Sequence, residues 1–166
     1  QDICFVPDGD YAKVIESRTG KTPEPGPFLD LNGNVVGTHR GIIHYTVGQR
    51  RGLRMPSDGK IYVVKILPER NAVVVGPNEA LFTRECLVPG MHWISGKAPA
   101  LPFRCSAKTR YRQPEQPCTV YPAGETGVRL VFDEPLRAIT PGQSAVLYDG
   151  DTVLGGGIIA REESVC

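Results

Sequence analysis

No apolar run in this 166-residue chain approaches the ~20 residues that a membrane-spanning helix needs, so no membrane partner is expected. An initiating Met and a signal-peptide pattern are both missing from the start. Gln1-Asp2-Ile3-Cys4-Phe5-Val6 reads instead like the middle of a buried strand, and the chain is read as a fragment of a longer protein. The five cysteines, at positions 4, 86, 105, 118 and 166, include no C-x-x-C pair. That spacing speaks against a zinc site and against a disulfide framework, so no metal is expected. Reduced thiols in a cytoplasmic protein are the simplest reading. There is no internal repeat and no low-complexity tract. Nor is there an excess of either charge: the formal net charge is +1, which on its face excludes a polyanionic partner.

The distribution of charge reverses that exclusion. Residues 31–57 contain no acid but hold Arg40, Arg50, Arg51 and Arg54, with His39 and His44. Residues 86–114 again contain no acid and hold Lys97, Arg104, Lys108, Arg110 and Arg112. Positive charge is segregated along the chain, as a polyanion site requires. The alternative is a pair of solvated polar segments.

Abundant Gly and Pro punctuate a mainly β pattern. Asp8 or Asp10 can cap a short helix whose Tyr11, Val14 and Ile15 share a face and which Gly20 ends. Pro23, Pro25 and Pro27 then forbid regular helix and predict an extended connector. Phe28-Leu29-Asp30, Asn32-Gly33-Asn34 and Val35-Val36-Gly37 predict a hairpin with an Asn-Gly turn. Residues 39–53 predict a small α/β element. Residues 55–60 are the expected boundary between a central module (1–58) and a β-barrel (59–166). Strands are expected at 61–67 and 72–75, and again across 86–154, with turns at Pro89-Gly90, Ala123-Gly124, Pro141-Gly142 and Asp149-Gly150.

Residues 103–112 form the most informative strand. Alternation places Arg104, Ser106, Lys108, Arg110 and Arg112 on one face and Phe103, Cys105, Ala107, Thr109 and Tyr111 on the other. A row of cations at ~6–7 Å spacing can track a phosphate backbone, and Tyr111 near the strand end can stack on a base. The competing reading has acids on neighbouring strands neutralising the row. The Gly-rich segment 37–53 lets the backbone approach a partner closely, and Arg50 and Arg51 offer bidentate phosphate contacts. His39 and His44 are candidate general acids, although a lone His is more often structural. Cys4, between Ile3 and Phe5, reads on pattern alone as a small buried hydrophobe, and Asp2 would raise its pKa.

Five strings, in order over nearly the whole chain, carry a resemblance. Gln1-Asp2-Ile3-Cys4-Phe5-Val6 resembles the motif holding the second catalytic cysteine of bacterial-type tRNA-specific 2-thiouridylases. Gly37-Thr38-His39-Arg40-Gly41 with Tyr45-Thr46-Val47-Gly48-Gln49-Arg50-Arg51-Gly52-Leu53 resembles their central-domain signature. Lys108-Thr109-Arg110-Tyr111-Arg112-Gln113, Ala138-Ile139-Thr140-Pro141-Gly142-Gln143 and Leu154-Gly155-Gly156-Gly157-Ile158 resemble their barrel motifs. The resemblance implies a six-stranded Greek-key barrel like those of translation factors. It implies that Cys4 bears a persulfide received from a sulfur-relay protein. It places Arg110, Tyr111 and Gln143 among tRNA-contacting positions; Lys108, Arg50 and Arg51 are assigned an RNA-binding role with them.

The family thiolates C2 of the wobble uridine after an N-terminal domain, using ATP with Mg, adenylates the C2 oxygen. A persulfide is more acidic than a thiol and is therefore a good sulfur nucleophile near neutrality, and water must be excluded from the activated base. The wobble base lies in a single-stranded loop and turns into a pocket without breaking a duplex. No Ser-Gly-Gly-x-Asp-Ser loop occurs, so no cofactor is expected on this chain, and by itself it is expected to be inactive. Two other readings remain at this point. One is a non-catalytic RNA-binding β-barrel, and the other is a cysteine hydrolase pairing Cys4 with His39 or His44.

Overall fold

The computed structural model describes residues 22–55 and 59–160, with Val14 and Ser17 besides. The chain divides into two compact units, Gln1–Ala80 and Leu81–Cys166. Val14 and Ser17 are helical, and the Ser17 hydroxyl donates to the Val14 carbonyl at 2.9 Å. The rest of the expected short helix, and Cys4, lie outside the described residues.

The first unit is built on a four-stranded mixed sheet. Its strands are β1 (Gly26–Leu29), β2 (Val35–His39), β3 (Tyr62–Leu67) and β4 (Ala72–Gly76), in the order β2-β1-β4-β3. The β1–β2 hairpin closes on the expected Asn-Gly turn, with Gly33 at φ 85. The Asp30 carboxylate accepts from the Asn32 and Asn34 backbone amides and from the Asn34 side chain. These bonds, the Asn34 side chain first, hold Asp30 below the usual carboxylate range.

β1 also pairs with β4, in parallel, with Phe28 opposite Val73. The core forms there: Phe28, Val63, Val73 and Val75 are buried with Tyr45 and Leu53. β3 and β4 therefore belong to this sheet, whereas residues 61–67 and 72–75 were expected to open the barrel after a boundary at 55–60. The pattern identified the strands correctly but not their sheet. A two-stranded hairpin is marginal on its own; β4 and β3 widen its sheet, and Phe28 is buried with Val63 and Val73 of those strands and with Tyr45 and Leu53 of the 39–53 segment. In place of the expected α/β element, residues 39–53 contain one 3-10 turn, Ile42–His44, and irregular chain.

The second unit is a seven-stranded antiparallel sheet. Its strands are β5 (Phe82–Val88), β6 (His92–Trp93), β7 (Phe103–Lys108), β8 (Gln116–Ala123), β9 (Gly127–Arg137), β10 (Ser144–Asp149) and β11 (Thr152–Ile158), in the order β5-β9-β8-β7-β10-β11-β6. Strands β7, β8 and β9 form a meander and β10 returns beside β7, a Greek-key path. The two-residue β6 brings the count to seven instead of the expected six.

The sheet curls into a half-barrel, and the chain just past β11 reaches its far edge: the Ala160 amide donates to Leu87 of β5 at 2.8 Å. Glycine is required along this seam. A Cβ at Gly157 would strike the Gly90 carbonyl and Val88 Cγ1, and one at Gly155 would strike the His92 carbonyl. The core inside the curl is Val88, Ala107, Cys118, Val120, Leu130, Phe132 and Leu147. No helix among the described residues is long and apolar enough to cross a membrane.

Candidate nucleic-acid interface

The basic segment splits into two parts with different fates. Through Lys108 it is a strand and alternates as expected, with Ala107 fully buried and Arg104 exposed. Its cations meet acids brought in by the rest of the sheet, one on β9 beyond the adjacent strand and one just before β8. Arg104 makes a two-point contact with Asp133 of β9, both distances 2.6 Å, and also donates to Thr119 at 3.2 Å. Lys108 lies 3.4 Å from Glu115 and 5.2 Å from the centre of the Tyr148 ring. Glu115 also accepts from Ser106 at 2.7 Å. A stretch with no acid in sequence is thus supplied with acids in space, because β8 and β9 bring them across.

After Lys108 the strand ends, earlier than the expected residue 112. Thr109 is buried and its hydroxyl bonds the Gln113 side chain at 2.9 Å. The Gln113 amide donates to the Arg110 carbonyl, closing a turn. Arg110 consequently points away from the cation row. Its Nη2 donates to the Ala138 carbonyl and to Thr140 Oγ1, both at 2.7 Å. Nε of Arg110 is buried without a partner. Burial, helped by the nearby charge of Arg137, holds the Arg110 guanidinium below its usual pKa.

Through Arg110 two distant motifs come together. Ala138 takes φ 56, and a turn follows in which the Gln143 amide donates to Thr140 and Gly142 takes φ 84. Ile159, just past the Gly-rich β11, donates to the Gln143 carbonyl at 2.8 Å. The three barrel motifs therefore meet at one end of the second unit. Tyr111 is 85% exposed, Arg112 next to it in the chain is exposed, and so is Gln143 on the turn after Thr140. An aromatic ring so exposed, next to a cation in the chain, is suited to stacking on an unpaired base.

In the first unit, Arg50 and Arg51 are exposed on a loop laid along β3. The Gly48 amide donates to Val63, and the Val63 amide to Gln49, at 2.8 and 2.9 Å. The Gln49 side chain accepts from the Thr46 amide and donates to the Arg51 carbonyl. Gly48 and Gly52 take φ 89 and φ 79, which let the loop turn twice.

His39 is buried with both ring nitrogens engaged: Nε2 faces the Asn71 carbonyl at 3.0 Å and Nδ1 accepts from the Gly41 amide at 3.0 Å. Burial lowers its pKa. It is a neutral structural residue packed against Phe28 and Tyr45, which removes it as the base of a cysteine hydrolase. His44 lies half-buried on the 3-10 turn. An open, mainly apolar hollow of about 510 Å³ in the same unit is lined by Leu31, Val36, Met55 and Val75 among others, and by none of the predicted site residues.

Asp133 and Glu115, the partners of the strand cations, and Ala138 and Thr140, the anchors of Arg110, were not among the residues expected at the site. Register would have found the first pair and topology the second; neither is a local signal.

Comparison with known proteins agrees with this division. Residues 13–77 match the family described as a tRNA methyl transferase PRC-barrel domain, and residues 83–159 match the aminomethyltransferase beta-barrel domain. The class is thus a PRC-barrel domain followed by a β-barrel domain of the aminomethyltransferase type. The particular relatives are narrower. The chain is 47% identical over 161 residues to the tRNA-specific 2-thiouridylase MnmA of Symbiobacterium thermophilum, covering 97% of this chain and 41% of the relative. It is 50% identical over 159 residues to the protein of that name from Acetivibrio thermocellus, covering 96% and 44%. It is 45% identical over 161 residues to that of Clostridioides difficile, covering 97% and 45%. The chain is a homologue of the tRNA-specific 2-thiouridylases, matching their C-terminal part, and spans less than half the length of these curated relatives.

Proposed function

We propose that this chain is the tRNA-holding part of a cytoplasmic tRNA 2-thiouridylase, and that it also supplies the persulfide-bearing cysteine, Cys4. The observation that carries the reading is the barrel-end cluster: Arg110 ties the turn that bears exposed Tyr111 and Arg112 to the corner at Ala138 and Thr140, and Gln143 closes that corner's turn and pairs with Ile159 just past the Gly-rich strand. In this reading Tyr111 stacks on an unpaired base, Gln143 hydrogen-bonds beside it, and Arg110 positions both turns while adding positive charge. Arg50 and Arg51 provide a second contact, to phosphate. Lys108, already near Glu115, contributes less than its place in the motif implies. The barrel acts in the manner of translation-factor barrels, as a platform for tRNA.

A sulfur-relay protein delivers the persulfide to Cys4, whose terminal sulfur becomes the nucleophile. The residues of this chain do not fit ATP: the family's Ser-Gly-Gly-x-Asp-Ser loop is absent from the sequence. Activation of the base is therefore assigned to a region outside it, and the chain alone leaves tRNA unthiolated.

The test is tRNA binding by the chain at low and moderate salt, with Tyr111→Ala and Arg110→Ala beside it. Binding that weakens steeply with salt and falls in both variants supports the reading. Binding that neither variant changes would remove the barrel end as the RNA surface. Selective persulfidation of Cys4 separates a sulfurtransferase part from a non-catalytic RNA-binding barrel, in which that thiol is inert.

A further inference from the structure

Three cysteines of the second unit, Cys86, Cys105 and Cys118, have no place in the function above, and all are free thiols. Two of them face each other. Cys105 on β7 and Cys118 on β8 are direct partners in the antiparallel register, and their sulfurs lie 3.8 Å apart. Directly opposed residues on antiparallel strands have Cα atoms about 4.5 or 5.5 Å apart, inside the ~4.4–6.8 Å that a disulfide spans. Closing the remaining gap between the sulfurs takes side-chain rotation, with the strands staying in place.

We propose that Cys105 and Cys118 form a reactive dithiol that a low-molecular-mass disulfide oxidises to a cross-strand disulfide. The two sulfurs play different parts. Cys105 is half-buried, whereas Cys118 is fully buried in the barrel core. Either sulfur can donate in their contact; a hydrogen bond from Cys118 to the more exposed Cys105 holds the Cys105 pKa below its ordinary value, helped by the Arg104 charge and opposed by burial and the Asp149 charge. The same interaction, with burial, pushes Cys118 up.

Cys105 therefore attacks first. Its thiolate bonds to one sulfur of the small disulfide, and the other sulfur leaves as a thiolate that takes up a proton. Once Cys105 is capped, its negative charge no longer opposes ionisation of Cys118. Cys118, already beside the Cys105 sulfur, then attacks it as its proton passes to the departing second small sulfur, which leaves as the thiol. Two protein thiols are oxidised and one small disulfide is reduced to two thiols. Cys86 takes no part: burial, with the Glu85 charge, pushes its pKa up to about 12, so it does not attack first, and its register sets it opposite Leu130, where Cys105 has Cys118.

The bond would close a loop over residues 106–117, the segment that bears Arg110 and Tyr111. The structure thus assigns an oxidation site to the strand pair that supports the exposed turn. This inference does not depend on what that turn binds.

Trypsin can cut at Lys108, Arg110 and Arg112, between the two cysteines, so the bond can be read directly. The reduced, folded chain is incubated with glutathione disulfide, blocked with an alkylating agent, digested without reductant and mapped by mass spectrometry. The expected product is the Cys105 peptide joined to the Cys118 peptide, two hydrogens lighter than the separate thiols and parted by reductant, with Cys86 not glutathionylated. In Cys118→Ala, Cys105 should instead stop at the mixed disulfide with glutathione. If that variant does not fold, Cys105→Ser serves: buried Cys118 should then take up no glutathione. Overturning results are stable glutathionylation of Cys105 in the unmodified chain without the cross-link, a cross-link from either residue to another cysteine, or two thiols that remain unreacted throughout.

Discussion

The body of the basic strand and the turn that follows it carry the same kind of residue and do different things with it. Arg104 and Lys108 lie on a strand, and the sheet brings Asp133 on β9 and Glu115 just before β8 to meet them. Arg110, Tyr111 and Arg112 lie past the end of the strand, where Arg110 is spent on the Ala138–Thr140 backbone corner and the next two residues are exposed. A cation in the middle of a sheet is judged by what stands opposite it. At a sheet's end, the fold of the turn decides.

Arg110→Ala should show the largest effect, because it cuts the link between the turns as well as removing charge. Losing charge-assisted bonds of this kind costs about 2 kcal/mol, so both the melting temperature of the second unit and tRNA affinity should fall. Arg110→Lys, which keeps the charge but not the fork, should restore affinity only in part. Full restoration would reduce Arg110 to a point charge.

Tyr111→Ala should be cleaner. The ring is exposed, so stability should hold, while loss of one stacked base, about 1–3 kcal/mol, weakens tRNA binding roughly tenfold. Equal affinity in the variant would leave the turn without a role in recognition.

The first unit supplies a pH contrast. Because burial depresses the His39 pKa, the unfolded chain takes up this proton at a higher pH than the folded one. Its contribution is complete above the ordinary His value of about 6.5, and is lost as pH falls from there toward the depressed folded value. Amide protection at Phe28 and Val73, taken relative to the intrinsic exchange rate at each pH, should fall between about pH 7 and pH 5, and His39→Gln should flatten that dependence. An unchanged slope in the variant would assign the acid sensitivity elsewhere.

The smallest effect belongs to Arg104→Ala. Its pair with Asp133 is exposed at the surface, so tRNA affinity and the salt dependence of binding should both stay at the parent values. A shallower salt slope would mean that Arg104 leaves Asp133 for phosphate and that the strand body belongs to the interface after all.

Local chemistry made part of this legible in the sequence. Asn32-Gly33 specified its hairpin, and alternation placed Arg104, Ala107 and Lys108 correctly. It failed from Thr109 on, because a side-chain bond to Gln113 competes there with strand pairing. The allegiance of β3 and β4 was not legible either, since apolar alternation says only that a strand has a buried face. The meeting of Arg110 with Ala138 and Thr140 follows from the Greek-key path, which local patterns do not encode. Cys105 and Cys118 stood within reach: they are equally distant from Tyr111-Arg112, and a hairpin turning at that pair must set them face to face.

The Arg110 clamp has one more consequence. It joins residues 28 and 30 positions apart, and the corner it grips is itself fastened by Ala138 to Leu81 and by Gln143 to Ile159. First and last parts of the barrel must both be in place before the exposed tyrosine is properly presented. A partly folded chain thus lacks the surface proposed for tRNA, and the clamp makes presentation of the tyrosine conditional on a finished barrel.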